Sequence, residues 1–242
     1  MDKQDLTGKN ILITGASRGI GRFVAVTLAS EGAFVLLTGR NSSSLEETAS
    51  IIRSAGGNAL CLTADFSNQD AVFQLASEVK RHISILDVLI NNAGQALSAP
   101  VGDTTTEDWD RIMTVNARSP YFLSQQLLPL MTGSSLKTIV NIASVVSTQG
   151  YPLQSAYSAS KHALIGFSKS MARELQDQGF RVHVISPGGV ATDMVTRVRP
   201  DINQEELIQP DEIAQWILFL LNHRGQGMVD HIQIRRESKL PW

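Results

Sequence analysis

Asn10-Ile11-Leu12-Ile13-Thr14, followed at once by Gly15-Ala16-Ser17-Arg18-Gly19-Ile20-Gly21, decides how this chain folds. The first run is almost continuously apolar, the pattern of a strand covered on both faces. From Gly19 to Glu31 apolar residues return at helical spacing. A strand, a glycine-rich turn and a helix thus open the chain, forming the first half of a β-α-β unit. Glycines permit the tight turn and close ligand approach, and the helix start offers free N–H groups to a phosphate. The spacing is G-x-x-x-G-x-G, not the G-x-G-x-x-G of the usual dinucleotide fingerprint. Alone it also fits a plain strand-to-helix turn; its place after a first strand favours a phosphate cradle.

The same alternation runs to the end of the chain. Strands are predicted at Asn10–Thr14, Phe34–Thr38, Ala59–Thr63, Leu86–Ile90, Thr138–Ile142, Val182–Ser186 and His231–Ile234. Helical spacing covers Gly19–Glu31, Leu45–Ala55, Ala71–Ile83, a long Glu107–Met131, Ser155–Gln178 and Asp211–Asn222. This predicts an α/β protein: one doubly wound Rossmann domain over residues 1–242, with seven parallel strands and helices on both faces. No linker-like stretch and no internal repeat interrupts it.

Composition narrows the function by exclusion. With 18% charged residues and a net charge of −2, nothing argues electrostatically for a nucleic-acid partner. The polar opening Met1-Asp2-Lys3-Gln4-Asp5 predicts no secretory leader, and no run reaches the roughly 18 apolar residues of a membrane span. Cys61, the only cysteine, rules out an intrachain disulfide and a cysteine-based zinc site. The histidines show no ligand-like spacing, so no metal is expected. A cytoplasmic location is the plain expectation.

Sheets of this kind bind ligands beyond the carboxyl ends of their strands. After the second strand stands Thr38-Gly39-Arg40-Asn41, with no carboxylate to receive ribose hydroxyls. Arg40 and Arg18 suit a 2′-phosphate instead, which favours NADP(H) over NAD(H). Two solvated surface arginines are the bland rival. Farther on, Tyr157-Ser158-Ala159-Ser160-Lys161 sets a phenol and an ammonium one turn apart on one helical face. A free phenol has a pKa of about 10, and a neighbouring ammonium draws it toward working range.

These residues together resemble the short-chain dehydrogenase/reductases, over a stretch from the Thr14–Gly21 loop to about Thr192. Asn91-Asn92-Ala93-Gly94 follows strand four as in that family. Asn116, Ser144, Tyr157 and Lys161 match its catalytic tetrad. Pro187-Gly188-Gly189-Val190-Ala191-Thr192 matches its nicotinamide-side loop, and Asp65, with Phe66 beside it, matches the position facing the adenine. The resemblance implies hydride transfer between a nicotinamide and a ketone or secondary alcohol. Ser144 would hydrogen-bond the reacting oxygen, Tyr157 would move the proton, and Lys161 would tune the phenol and hold the ribose. Asn116 would order a proton-supplying water chain, while Val190 and Thr192 would bind the carboxamide. It further implies cofactor contacts at Gly15, Ser17, Arg18, Gly19, Ile20, Gly21, Arg40, Asp65, Phe66, Asn91, Ala93, Gly94, Pro187 and Gly188.

Other readings stay open beside these. Ser144 or Ser147 could merely cap a turn, and Asn116 could mark a helix kink. Tyr121 and Tyr151 have no lysine four residues on and are read as packing or pocket-wall residues; His162 receives no role. A substrate loop is expected at about 193–210, where Arg197 and Arg199 read as solvated charges rather than anion ligands. Reductases of the fatty-acid cycle share every motif above. Ser135 and Gln178, where those enzymes carry basic docking residues, and the ending Ile234-Arg235-Arg236 through Leu240-Pro241-Trp242 set this chain apart. A dinucleotide sensor without turnover is the reading from another class, disfavoured by the intact tetrad. Apolar residues of Glu107–Met131 and the Ser155–Gln178 helix predict a homotetramer, with a dimer as the smaller assembly.

Overall fold

The structure, a computed structural model, describes residues 4–240. Met1–Lys3 and Pro241–Trp242, which carry part of the expectations about a leader and the C-terminal ending, lie outside the described residues. Seven parallel strands form one sheet: β1 (Asn10–Thr14), β2 (Phe34–Gly39), β3 (Asn58–Thr63), β4 (Val88–Asn91), β5 (Thr138–Ile142), β6 (Arg181–Pro187) and β7 (His231–Ile234). Their spatial order is β3-β2-β1-β4-β5-β6-β7, so the winding reverses between β1 and β4. A crevice opens at such a reversal, beyond the strand ends.

Strand alternation explains the two-sided core. Ile11, Ile13, Val35 and Leu37 point to one face, under α1 (Gly19–Ser30), α2 (Ser42–Ser54) and α8 (Pro210–Asn222). Leu12, Leu36 and Leu89 point to the other, under α3 (Ala71–His82), α5 (Ser119–Met131) and α6 (Ser155–Leu175). Both sets are fully buried. Each such side chain contributes roughly 1.5–3 kcal/mol of transfer free energy.

Most elements shift at one or both ends from the sequence reading by one to three residues, and three differences bear on the site. Strand four starts at Val88 and runs through Asn91, because Leu86 is fixed in the preceding turn by its N–H bond to Leu130 O. The expected helix Glu107–Met131 is α4 (Thr106–Met113) and α5 joined by a π turn at Thr114–Arg118. The expected substrate loop holds a short helix, α7 (Asp193–Val198). Its Thr192 N-cap makes no side-chain capping bond, and its six residues make fewer than two turns. At the opposite end of the sheet, buried Asp87 accepts from Ser134 Oγ at 2.6 Å and Asn10 N at 2.9 Å, tying strand starts together.

Candidate active site

The loop after β1 is built around absent side chains. Gly15 adopts φ +68°, and a Cβ there would lie 2.9 Å from Ala93 Cα. A Cβ on Gly21 would stand 2.2 Å from the Gly15 carbonyl oxygen and 2.5 Å from Asn92 Nδ2. Asn92 Nδ2 donates to the Thr14 and Gly15 carbonyls at 2.8 and 3.1 Å. In return, Thr14 Oγ1 accepts from the N–H groups of Asn92 and Ala93, both at 2.9 Å. The loops after β1 and β4 are therefore laced into one floor. Arg18, the N-cap of α1, makes no side-chain cap bond, so the first N–H groups of a twelve-residue helix face the cleft.

Arg22 braces this loop from behind, donating to Ser17 O at 2.6 Å, Thr48 Oγ1 at 3.0 Å and Glu47 at 3.1 Å. Neither Arg22 nor Thr48 carries a signal in the sequence; the second asparagine of Asn91-Asn92-Ala93-Gly94 does, and it is Asn92 that lines the cleft. Asn91 points into the core, donating to Ser124 and Asn141 at 3.1 and 2.8 Å. Its buried position reflects strand alternation: Asn91 still belongs to β4.

The cleft has a volume of about 490 Å³ and runs from Arg40 to the α7 lid. Gly15, Ser17, Arg18, Gly19 and Ile20 line one bank, with Arg40, Asp65 and Phe66 at its outer end. Ala93, Gly94, Ser144, Tyr157 and Lys161 form the floor, and Pro187, Gly188, Val190 and Thr192 the inner bank. Asp65 accepts from the Ser67 N–H at 3.0 Å and hydroxyl at 2.8 Å; these bonds, with Arg40 nearby, hold its carboxyl below the usual range. Arg18 is engaged by the lid: its Nη1 sits 2.9 Å from Asp193 Oδ2.

The proposed tetrad gathers from three elements. Ser144 follows β5 and opens the turn Val145–Ser147, Tyr157 lies in the first turn of α6, and Lys161 comes one turn later. Asn116 sits at the centre of the π turn, so the kink reading and the site reading describe the same residue. Its Oδ1 accepts from Gln95 N at 2.8 Å, while Nδ2 donates to Gln95 O at 2.8 Å and Ser160 Oγ at 3.0 Å. Asn116 thereby fixes the loop beyond Gly94 against α6.

Electrostatics differ from the expectation that Lys161 lowers the phenol. Burial pushes Tyr157 upward from its ordinary value, and the Ser144 hydroxyl draws it partly back. Burial pulls Lys161 down to about 8. The ammonium lies 6.0 Å from the Tyr157 ring centre and turns to Ile142 O at 2.8 Å, so desolvation outweighs attraction. A phenol that keeps its proton suits a donor. Of the two loop arginines, Arg199 is spent on Asp201 through bonds of 2.8 and 2.7 Å, whereas Arg197 lines the cleft.

A parallel sheet, a glycine floor at its reversal point and a serine, tyrosine and lysine over that floor define a dinucleotide-linked oxidoreductase site. The family model for short chain dehydrogenase matches residues 9–203, and the chain belongs to that family, whose members oxidise hydroxyl or reduce keto groups. It is 34% identical over 225 residues to a 3-oxoacyl-[acyl-carrier-protein] reductase of Synechocystis sp., covering 89% of this chain and 90% of the relative. It is 35% identical to a gluconate 5-dehydrogenase of Gluconobacter oxydans, covering 89% and 81%. Among solved structures, a short chain dehydrogenase from Shigella flexneri complexed with NADP superposes with a TM-score of 0.88 at 33% identity, covering 96% and 99%.

The residues present fit such a cofactor. The glycine loop packs so closely on Asn92 and Ala93 that backbone at Gly15 and Gly19 borders the cleft, and the start of α1 presents its amides there. Among the described residues no helix is long and apolar enough to cross a membrane.

Proposed function

We propose that the protein is an NADP(H)-dependent oxidoreductase interconverting a ketone and a secondary alcohol, with Tyr157 as the acid and base. The observation that carries this is the convergence of Ser144, Tyr157 and buried Lys161 on the floor of the cleft that the glycine loop closes. When bound in this cleft, a nicotinamide would supply or accept the hydride. Ser144 donates a hydrogen bond to the substrate oxygen as charge grows there. Tyr157 hands over its phenolic proton at that oxygen in reduction and takes it back in oxidation. Lys161 holds a positive charge beside the phenolate left behind and offers its free N–H bonds to ribose hydroxyls. Asn116 holds the Gln95 backbone, keeps the cleft open next to Gly94, and orders the water chain that returns the proton. Val190 and Thr192 hold the carboxamide.

Arg18 and Arg40 would bind the 2′-phosphate and so favour NADP(H); Arg40 stands exposed at the cleft mouth near Asp65, and Arg18 would exchange Asp193 for the phosphate. NADP in several structural neighbours supports the reading. Tyr157→Phe is expected to lower turnover by about a thousandfold while NADPH binding persists. Retained turnover would sink the assignment, and loss of cofactor binding would point to misfolding.

A 3-oxoacyl-[acyl-carrier-protein] reductase is the second reading, supported by the relative of that name at 34% identity over 225 residues. Equal rates on a carrier-bound and a free thioester would reject it. The assembly proposed is a homotetramer built on α5 and α6, or a dimer through the same face. Tyr121, 41% exposed, packs edge-on to Phe122 and Phe167 on that face. A monomer in light scattering at micromolar concentration would count against both.

A further inference from the structure

Ser147 ends the turn that carries Ser144, and a line of side chains leads from it to the edge of the sheet. The Ser147 hydroxyl donates to the Ser144 carbonyl oxygen, which also accepts the Ser147 N–H at 2.9 Å. Ser147 Oγ lies 3.2 Å from Ser186 Oγ, and Ser186 Oγ lies 2.7 Å from His231 Nε2. Both serines are buried, at 3% and 0% exposure, whereas His231 opens β7 within reach of solvent.

Only one arrangement of protons satisfies this line. A serine hydroxyl has a single proton to donate. That of Ser147 is committed to the Ser144 carbonyl, so Ser147 must accept from Ser186. The Ser186 proton is then spent as well, and Ser186 must accept from an N–H on His231 Nε2. Neutral imidazole carries one proton on either ring nitrogen, and its partners choose which. Burial and the neighbouring Lys169 ammonium hold the His231 ring below its ordinary pKa, so the neutral ring prevails near pH 7. The line therefore selects the Nε2–H form.

We propose that His231 is a positioning residue for the active site: through Ser186 and Ser147 its Nε2–H fixes the Ser144 carbonyl, and with it the hydroxyl that meets the substrate oxygen. The proposal rests on the reading of Ser144 given above. The rest of β7 is built for the same contact. Ile232 and Ile234 pack into the core, while the side chain of the alternate residue Gln233 lies 3.4 Å from the Thr148 hydroxyl, which also reaches Val145 O at 3.2 Å, at the end of the same turn. One face of an edge strand thus supports the turn that holds Ser144.

The test compares His231→Leu, which removes the donor, with His231→Gln, whose amide nitrogen can donate from a similar reach. His231→Leu, Ser186→Ala and Ser147→Ala are each expected to lower kcat about tenfold with NADPH affinity unchanged. His231→Gln should restore most of that loss, and the His231→Leu/Ser186→Ala pair should be no slower than either single variant. Nitrogen-15 spectra of the wild-type protein at pH 8 should show His231 protonated on Nε2, a readout independent of turnover. A proton on Nδ1 instead, a fully active His231→Leu, or additive losses would overturn the proposal. Ser144→Ala with full turnover would remove the reading of the site and this proposal with it. Ser144→Ala inactive beside His231→Leu fully active would remove this proposal alone.

Discussion

At the nucleotide end of the cleft, position is set by backbone: Gly15, Gly21 and Ala93 lie so close that a methyl group cannot enter. At the substrate end, position is set by side chains in water. The Arg18–Asp193 pair that touches α7 leaves its partners 55% and 65% exposed, and Arg199–Asp201 braces the loop beyond it. Steric exclusion in a packed loop costs several kcal/mol to violate; an exposed ion pair contributes about 0–1 kcal/mol. One end is thus committed to a single ligand shape, and the other can be rebuilt without disturbing the fold. Relatives named for acyl-carrier thioesters and for gluconate stand at nearly equal identity, which fits that division.

The largest effect that would break this contrast is expected from Gly21→Ala. Its methyl would drive apart Gly15 and Asn92, so stability should fall by about 3 kcal/mol or more and NADPH binding should vanish in calorimetry. A stable, nucleotide-binding variant would show that the floor yields as readily as the lid.

Lys161→Met comes next and separates function from stability. Turnover is expected to drop about a hundredfold, while the melting temperature at pH 7 rises. Lys161 titrates at about 8 when folded against 10.5 for an ordinary lysine, so between those values the unfolded chain binds the extra proton. The burial penalty is full below pH 8 and fades as pH climbs to 10.5; the gain from methionine, on the order of 1 kcal/mol at pH 7, should fade with it. A melting difference that does not depend on pH would reject the assignment.

Arg40→Ala should weaken NADPH binding about tenfold and leave NADH unchanged. Equal losses for both would end the case for a 2′-phosphate clamp. The smallest change belongs to the lid: Asp201→Ala should shift the melting temperature by about one degree or less, despite its two bonds to Arg199. A cost several times larger would mean the lid is no softer than the floor.

The same contrast governs what could be read from the sequence. The parallel sheet, its two covered faces and the glycine turn follow from apolar runs and glycine spacing, because few other arrangements satisfy them. That Ser144, Tyr157 and Lys161 line one cleft could be anticipated because side-chain chemistry and chain order agree on them. The inward turn of Asn91 was hidden by a one-residue difference in where β4 ends. The short helix α7 went unseen because Asp193–Val198 is too brief for a period to show. Electrostatics of the Tyr157–Lys161 pair required burial and a distance, neither of which a spacing of four supplies.

The π turn at Thr114–Arg118, closed by Ser119 N–H on Thr114 O, has a meaning beyond geometry. It holds one residue more than an α-helical turn. In the vocabulary of genes it is a surplus codon, of the kind a single insertion leaves behind and a single deletion would erase. Helix α4 could then run straight into α5, and the grip of Asn116 on Gln95 would go with the lost residue.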